Sequence, residues 1–348
     1  MVTDTATPVA ATVQVHARTK RISRVATIGV VAFAILLPMI PPFNGQDYQR
    51  WLISAALMAA MAVAFDFTAG YINIVNFGFA AFTGVGAYTS ALLAVDLGIS
   101  PWIGIFVGAA ASGLVGLATG MLTLRLRGIY AAVMTWFVGL ALMGLARNLT
   151  DVTRGSLGLN VPLILNTSDN LPYYYLILGM LLVTIVVLTA VTRSDLGLAF
   201  RAIGMNLQSA RASGINPTRF LVINFTLSCA FAGWLGGFYA HYYGILTPDI
   251  MLTSHTVEIL AVAYIGGRGS LWGPAIIAFP MTIAVELMRT QFSELPGLHL
   301  VLYGLLLIVV MIFWPGGVAG VIRTAWAKVE ARWLAKATAE LPIEAKAA

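Results

Sequence analysis

The sequence has few charged residues, one cysteine and no recognisable catalytic motif. Asp, Glu, Lys and Arg make up 10% of its 348 residues, whereas a soluble domain carries about 25%. The single Cys229 excludes intramolecular disulfides and cysteine-based zinc sites, and the four histidines have no metal-site spacing. A G-x-x-x-x-G-K-S/T phosphate loop, a nucleophile elbow and an H-E-x-x-H motif are also missing. We therefore expect no catalytic residue, no metal site, no cofactor and no ATP hydrolysis in this chain.

Long apolar runs dominate the rest of the sequence. Hydrophobic residues make up 59% of the chain, and about 20 residues are needed for each membrane span. The pattern predicts an all-α integral membrane protein with about ten transmembrane segments, some of them short or broken. The predicted segments are residues 25–40, 51–68, 74–95, 101–124, 129–145, 173–191, 220–243, 257–265, 271–288 and 299–313. The eighth is too short to cross a membrane alone.

The distribution of basic residues predicts the orientation of these segments. Cytoplasmic loops of membrane proteins are rich in Lys and Arg. If both termini are cytoplasmic, the external loops hold only four of the 20 Lys and Arg, namely Arg50, Arg147, Arg154 and Arg289. The net charge of +6 therefore reflects membrane orientation and does not indicate nucleic-acid binding.

The segments divide the chain into one membrane domain and two tails. Residues 1–24 form a polar N-terminal tail, residues 25–315 the transmembrane domain, and residues 316–348 a C-terminal tail. The C-terminal tail has the pattern of an amphipathic surface helix, with Trp326 and Trp333 as interfacial anchors.

Residues 193–219 form a polar loop between two apolar segments, on the predicted cytoplasmic side. Ser194 or Asp195 can cap the start of a helix there, Gly214 can end it, and Pro217 blocks its continuation. One helical face is shared by Leu198, Ile203, Leu207 and Ala210, while the other faces carry Arg201, Asn206 and Arg211. This pattern is typical of a helix that docks on a cytoplasmic subunit. The alternative is a short helix that rests on the lipid surface.

Two segments, residues 66–86 and 266–274, break the helical pattern at membrane depth. Backbone that leaves a helix inside a bilayer must be buried in protein or line a wet cavity, and transporters build substrate sites from such breaks. Because Asn73 and Asn76 place amides in the first segment, we expect them on a substrate pathway. The alternative is that the glycines of this segment only pack helices. We expect the second segment to form a cytoplasmic re-entrant turn that shapes a gate or a subunit interface.

The external side offers fewer signals. The loop at residues 148–171 is rich in glycine, and it either receives a substrate-delivery protein or is an ordinary turn. Acids within the apolar segments are Glu286 and, near segment edges, Asp66 and Glu258. We expect Glu286 to pair with Arg289 near the outer surface.

Five blocks of the sequence resemble one transporter family. NIVNFGFAAFTGVGAYTSALL at residues 73–93 is similar to the S-L-G-H-A-A-F-x-G-I-G-A-Y segment of branched-chain amino-acid permeases of the LivM type. The resemblance continues in the family's order through RGSLGLNVP, FRAIGMNLQSARASGIN, NFTLSCAFAGWLGGFYAHYYGILTP and GGRGSLWGPAIIA. Together the blocks span most of residues 73–278.

The resemblance implies a permease subunit of an ATP-binding-cassette importer in the bacterial inner membrane. In that family two related permeases form the pore, two ATPase subunits use ATP and Mg beneath it, and a periplasmic or lipid-anchored binding protein delivers the substrate. A cytoplasmic coupling helix, here about residues 198–212, sits in a groove of the ATPase. Its expected residues here, including the motif matches, are Arg201, Ala202, Gly204, Ala210, Arg211, Gly214, Ile215 and Asn216.

These arguments together place the expected site residues. We expect the substrate pathway at Asn73, Asn76, Phe77, Gly78 and Tyr88. A gate or interface is expected at Gly266, Gly267, Gly269 and Ser270.

The sequence departs from the family pattern in two places. The usual S-L-G-H reads V-N-F-G at residues 75–78, and G-M-N-L at residues 204–207 carries no acid, as in related sugar and nucleoside permeases. Branched-chain or other hydrophobic amino acids are the expected substrates, with urea, short amides, aromatic acids or a sugar as alternatives. Two rival classes are an ion-coupled secondary transporter, with Glu286 as its core carboxylate, and a passive channel for a small neutral solute.

Overall fold

The structure, a computed structural model, describes residues 29–41, 45–123, 126, 128–165, 167–291, 297–313, 316–320 and 324–325. The chain divides into two units, one formed by Met1–Gly45 with Gly320–Ala348 and the other by Gln46–Ala319. In the first unit the described residues form helix α1 (Gly29–Met39), whose last turn, Leu37–Met39, is a 3-10 helix. Most of the two predicted tails lies outside the described residues.

The second unit is a bundle of helices with one very short sheet. Its helices are α2 (Gln46–Ala69), α3 (Phe79–Asp96), α4 (Pro101–Thr123), α5 (Ile129–Asn148), α6 (Thr150–Thr153), α7 (Asn170–Arg193), α8 (Asp195–Met205), α9 (Leu207–Ala212), α10 (Pro217–Tyr243), α11 (Thr253–Gly266), α12 (Trp272–Gln291) and α13 (Leu298–Phe313). Two-residue strands β1 (Leu159–Asn160) and β2 (Ile245–Leu246) pair antiparallel. Short 3-10 turns form at Gly155–Leu157 and Pro248–Met251.

Six of the described helices are long and apolar enough to cross a membrane, namely α2, α3, α4, α5, α7 and α10. This finding confirms the predicted all-helical membrane class. Helices also occupy the places of the shorter predicted segments, but α11 has 14 residues and α13 has 16, below the roughly 20 that a span needs. The count of ten spans and the cytoplasmic position of the termini stay predictions.

Helix α2 lies at the centre of the bundle. It is buried on nearly every side, and most of its residues from Leu52 to Ala69 have almost no exposed surface. Helices α4 and α5, in contrast, expose large apolar side chains such as Phe106, Leu122 and Phe137. A helix that is apolar all round suits a position in the middle of a bundle or in lipid. Helix α2 fits the first case, and helices α4 and α5 fit the second.

Small residues set the close packing of α10 against α3 and α4. A Cβ atom on Gly86 would overlap the backbone of Gly233, and one on Gly236 would overlap the carbonyl oxygen of Thr83. Helices in membranes associate through such close backbone contacts. The Ser112 hydroxyl of α4 lies 2.7 Å from the Cys229 carbonyl oxygen of α10 and 2.9 Å from that of Phe82 in α3, so it joins all three helices.

The loop between α5 and α7 is tied to the end of α10. Leu159 pairs with Leu246 across the two strands, and the Val161 amide donates to the Gly244 carbonyl at 2.8 Å. The His241 ring is 2.7 Å from the Pro162 carbonyl oxygen through Nδ1 and 2.8 Å from the Ser90 hydroxyl through Nε2. The loop therefore has a defined fold, although its sequence also allowed an ordinary turn.

One predicted edge is wrong in a way that matters for the site. The third segment was expected to begin at residue 74, but α3 begins at Phe79. Residues 70–78 leave the helix, and Asn73 has a φ of +56°, in the left-handed region. The interruption expected within residues 66–86 is therefore real but confined to nine residues.

Candidate functional site

The buried carboxylate of Asp66, in the last turn of α2, binds the turn that connects α11 to α12. One carboxylate oxygen accepts the Gly269 amide at 2.8 Å, and the other accepts the Leu271 amide at 3.4 Å. Asp66 has no exposed surface. These hydrogen bonds give two backbone N–H groups of the turn the partners that buried polar groups need. Asp66 therefore holds the turn at residues 267–271 against the end of α2.

The same turn contacts Gly70 and contains strained backbone. A Cβ atom on Gly70 would overlap the Gly269 amide, so only glycine allows this approach. Gly269 has a φ of +72°, and Leu271 has a φ of +51°. Such a conformation costs a non-glycine residue about 1–3 kcal/mol and persists only where the surroundings hold it. The hydrogen bond from the Leu271 amide to Asp66 supplies that restraint.

Asn73 connects this turn to α8. Its amide nitrogen donates to the Gly204 carbonyl at 2.6 Å, and its amide oxygen accepts a hydrogen bond from the Arg268 guanidinium. The Arg268 guanidinium also lies 5.2 Å from the centre of the Tyr264 ring, within the range of a cation–π interaction. The Asn73 side chain thus connects three separate parts of the chain, namely residues 66–78, helix α8 and the turn at residues 267–271. We call these three parts together the junction.

Helix α8 lies close against the break after α2. A Cβ atom on Gly204 would overlap the Tyr71 carbonyl oxygen, and one on Gly197 would overlap the Thr192 carbonyl oxygen. The Arg201 guanidinium donates to the Thr192 carbonyl at 2.6 Å and lies 5.9 Å from the Tyr71 ring centre. Gly204 therefore permits the contact with the break, Gly197 permits the close turn from α7 into α8, and Arg201 fastens α8 to the end of α7.

The expected single coupling helix of residues 198–212 is wrong, because two helices form. The backbone of Asn206 is extended, and its side chain caps α9 by accepting the amides of Gln208 and Ser209 at 2.9 and 3.0 Å. Gly214 has a φ of +83°, as expected for a residue that ends a helix. Pro217 does more than block continuation, since it is the first residue of α10 behind an Asn216 cap.

The expected apolar face of α8 is also partly wrong. Phe200 and Ile203 are buried against the bundle, as is Ala210 of α9, but Leu198 is 62% exposed. Met205, seven residues after Leu198, is 88% exposed, and the exposed Arg201 lies between them on the same face. Leu198, Arg201 and Met205 form what we call the outer face of α8. Its exposed methionine and leucine could not be separated from core positions by periodicity alone.

The five expected pathway residues do not come together in the structure. The buried Asn76 side chain accepts the Gly78 amide at 3.1 Å and lies 3.9 Å from the Cys229 sulfur. Gly78 packs against the Thr135 carbonyl of α5, Phe77 is half-buried, and Tyr88 belongs to an apolar cluster with Leu159 and Leu246. Asn73 lies at the junction. Their contact with substrate stays a prediction, as do the roles of the coupling residues and the glycine-rich turn.

Two cavities lie beside the first half and the middle of α2, away from Asp66. The first, of about 300 Å³, lies between α2, α3, α10, α11 and α12. The second, of about 580 Å³, lies between the start of α2 and the loop before α7. Both are lined by Ser54, Tyr243, Glu286 and Arg289. The Glu286 and Arg289 side chains form the expected ion pair at 3.4 Å. Among the described residues, no group of three or more His, Cys, Asp or Glu is placed to hold a metal ion.

The bundle contains two interrupted helical regions that meet a polar loop. This arrangement is typical of transport proteins built from broken membrane helices. The comparison with protein families makes this specific. Residues 48–311 match the family described as "Branched-chain amino acid transport system / permease component", and the chain belongs to that family.

The chain is similar to several characterised permeases. It is 28% identical over 291 residues to the high-affinity branched-chain amino acid transport system permease protein LivM of Salmonella typhimurium, which covers 76% of this chain and 68% of that protein. It is 23% identical over 290 residues to LivH of Escherichia coli, covering 75% and 91%. A shorter match, 29% over 151 residues and 40% of each chain, is to the fructose import permease protein FrcC of Rhizobium meliloti. No solved structure matches the chain.

Proposed function

We propose that this chain is one of two permease subunits of an ATP-binding-cassette importer, and that α8 and α9 dock it on an ATPase subunit. The chain belongs to a permease family, and it resembles both LivM and LivH, two permeases named for one kind of transport system. This double likeness supports pairing with a second, related permease. A binding protein would deliver the substrate to the outer face of the pair.

The outer face of α8 carries the docking part of the proposal. Its inner face is fixed to the bundle by Phe200 and Ile203, whereas Leu198 and Met205 remain exposed. Exposed apolar side chains beside a cation are typical of a surface that another protein covers. Asn73 binds the Gly204 carbonyl of α8. A displacement of α8 by the ATPase would therefore be passed through Asn73 to the other two parts of the junction.

Hydrophobic amino acids are the substrates that we propose. The matched relatives with the longest coverage are named for branched-chain amino acids, while the fructose permease covers 40% of this chain. The first cavity, which is lined by acidic, basic and apolar side chains, suits an amino acid with an apolar side chain.

Purification of the tagged chain in mild detergent from its native membrane tests the assembly. We expect mass spectrometry to find a second permease and ATPases with phosphate-loop motifs. Recovery of the folded chain alone would contradict the proposal.

A charged substitution on the outer face of α8 tests the docking surface. Leu198→Asp should reduce recovery of the ATPase at least tenfold, because it places a charge in an apolar contact. The matched control is Thr218→Asp, an exposed position in the first turn of α10, where a negative charge suits the helix N-terminus. Equal loss of ATPase in both variants would contradict docking through this face.

A further inference from the structure

Two glutamates, Glu258 and Glu286, lie within the largely apolar helices of the bundle. Glu258 of α11 is 9% exposed, and the side chain of Glu286 in α12 is 23% exposed. Ionisable residues inside membrane segments are costly, so they usually line a pathway or pair with one another. Both glutamates line the first cavity.

The pairing of these acids is incomplete. Glu286 is paired with Arg289 at 3.4 Å. Glu258 lies 3.5 Å from His255, which is charged only when protonated. Among the described residues, no Lys or Arg lies within 4 Å of Glu258. Glu258 therefore has a histidine as its partner, whereas the partner of Glu286 is a guanidinium.

The cavity also has apolar lining residues. They include Met58, Met61 and Ile259, and methionine adapts to ligands of different shape. Thr282 also lines the cavity, and its hydroxyl is buried without a hydrogen-bond partner among the described residues. Buried polar groups normally have partners, so this residue adds an unsatisfied polar group beside the cavity. A volume of about 300 Å³ is at the lower end of the range for small-molecule sites.

The second cavity gives this pocket an entrance. Ser54, Tyr243, Glu286 and Arg289 line both cavities, so they form the partition between them. The hydroxyls of Ser54 and Tyr243 are 3.2 Å apart. These four side chains are the groups that would have to move for a ligand to pass from one cavity to the other.

We propose that the first cavity is a transient substrate site for a hydrophobic α-amino acid on its way through the permease. The ammonium group pairs with Glu258, and the carboxylate contacts Arg289. The apolar side chain packs against Met58, Met61 and Ile259. This inference rests on the proposed transport function and adds the site and its recognition chemistry.

Protection of an introduced cysteine measures occupancy of the cavity without relying on transport. The only native cysteine, Cys229, is buried, so Cys229→Ala gives a background that keeps the packing of its Cβ atom. Met58→Cys places a thiol in the cavity wall. Leu157→Cys, at a position that is 92% exposed outside the cavity, serves as the control. The assembled complex in membrane vesicles is labelled with N-ethylmaleimide, with and without ligand.

The expected pattern depends on charge. Leucine should protect Met58→Cys, while 4-methylpentanoate, 3-methylbutylamine and fructose should not, because each lacks one or both charges. Glu258→Gln should raise the leucine concentration for half protection by about tenfold or more, since loss of one partner of a buried charge pair is costly. Glu258→Asp should restore part of the protection. The Leu157→Cys control should label equally in every case.

Three results would overturn the inference: no protection by leucine, equal protection by fructose, or unchanged protection in Glu258→Gln. A thiol at position 58 that is never labelled would also overturn it, because the cavity would then be closed to ligands. ATP-driven leucine uptake in the same vesicles separates the two proposals. Uptake without protection rejects the site alone, whereas protection without uptake rejects ATP-driven import and keeps the site.

Discussion

The junction and the first cavity use polar groups in opposite ways. At the junction, Asp66 and Asn73 bind backbone groups at 2.6–3.4 Å, and Gly70 allows backbone contact. In the first cavity, Glu258 and Arg289 line open volume. Contacts therefore fill the first arrangement, which lies at the end of α2, whereas the second leaves space beside the middle of that helix. The proposed transport function would use the first for coupling and the second for the substrate.

The largest expected effect comes from filling the closest contact of the junction. Gly70→Val places side-chain atoms where the Gly269 amide lies, so we expect loss of the folded complex or of all ATP-coupled transport. Gly179→Val is the matched control, because a Cβ atom there meets nothing within 4 Å. Size-exclusion chromatography of the complex measures the difference. A stable, active Gly70→Val complex would show that the junction does not depend on the close contact between Gly70 and Gly269.

The next effect comes from removal of the Asp66 carboxylate. Asp66→Ala leaves the amides of Gly269 and Leu271 without their partner, and an unsatisfied buried group costs about 1–3 kcal/mol. We expect a lower thermal unfolding temperature of the detergent-purified complex. Asp66→Asn keeps one acceptor oxygen and should lose less. If both variants melt like the unaltered complex, Asp66 does not hold the turn.

A smaller and more specific effect is expected at Asn73. Because its φ is +56°, Asn73→Gly removes both side-chain hydrogen bonds without adding strain, whereas Asn73→Ala adds about 1–2 kcal/mol of strain. If Asn73 links α8 to the turn, complexes that contain either variant should still hydrolyse ATP through the ATPase subunits, while transport falls by about tenfold. Loss in Asn73→Ala alone would assign the effect to backbone strain. Uptake divided by ATP hydrolysis is the quantity to measure.

The smallest effect is expected at the partition between the cavities. Tyr243→Phe removes the hydroxyl that lies 3.2 Å from that of Ser54, an interaction worth about 0.5–1.5 kcal/mol. We expect faster labelling of Met58→Cys by about threefold, with assembly unchanged. Tyr242→Phe is the control, since Tyr242 lines the second cavity and not the first. Equal labelling rates in both variants would show that Tyr243 does not restrict entry.

Sequence reasoning could locate the interruptions but not their partners. Glycines and polar residues within apolar runs predicted the breaks at residues 66–86 and 266–274. That these breaks meet each other through Asp66 and Gly269, 203 positions apart, depends on how the helices assemble. The break at Asn206 was missed because the loop has a continuous helical pattern of apolar positions, while Asn206 works as a local cap.

The cavity acids show a similar limit. The sequence identified Glu258 and Glu286 as unusual, and it predicted the pair between Glu286 and Arg289 from their spacing of three residues. It could not show that α11 and α12 place both acids in one cavity with Met58 of α2. Contacts within one helix can be predicted from spacing, whereas contacts between distant helices require the fold.

The attachment of the loop before α7 to α10 has a mechanical consequence. Strand β1, Val161 and Pro162 are bound to the residues around His241 and Leu246. Helix α10 has 27 residues without a described break, which is about 40 Å at 1.5 Å per residue. Its other end, at Pro217, follows the end of α9 at Ala212 after four residues. One uninterrupted helix therefore connects the loop before α7 with the region of α8 and α9, so we expect a displacement of either end of α10 to move the other.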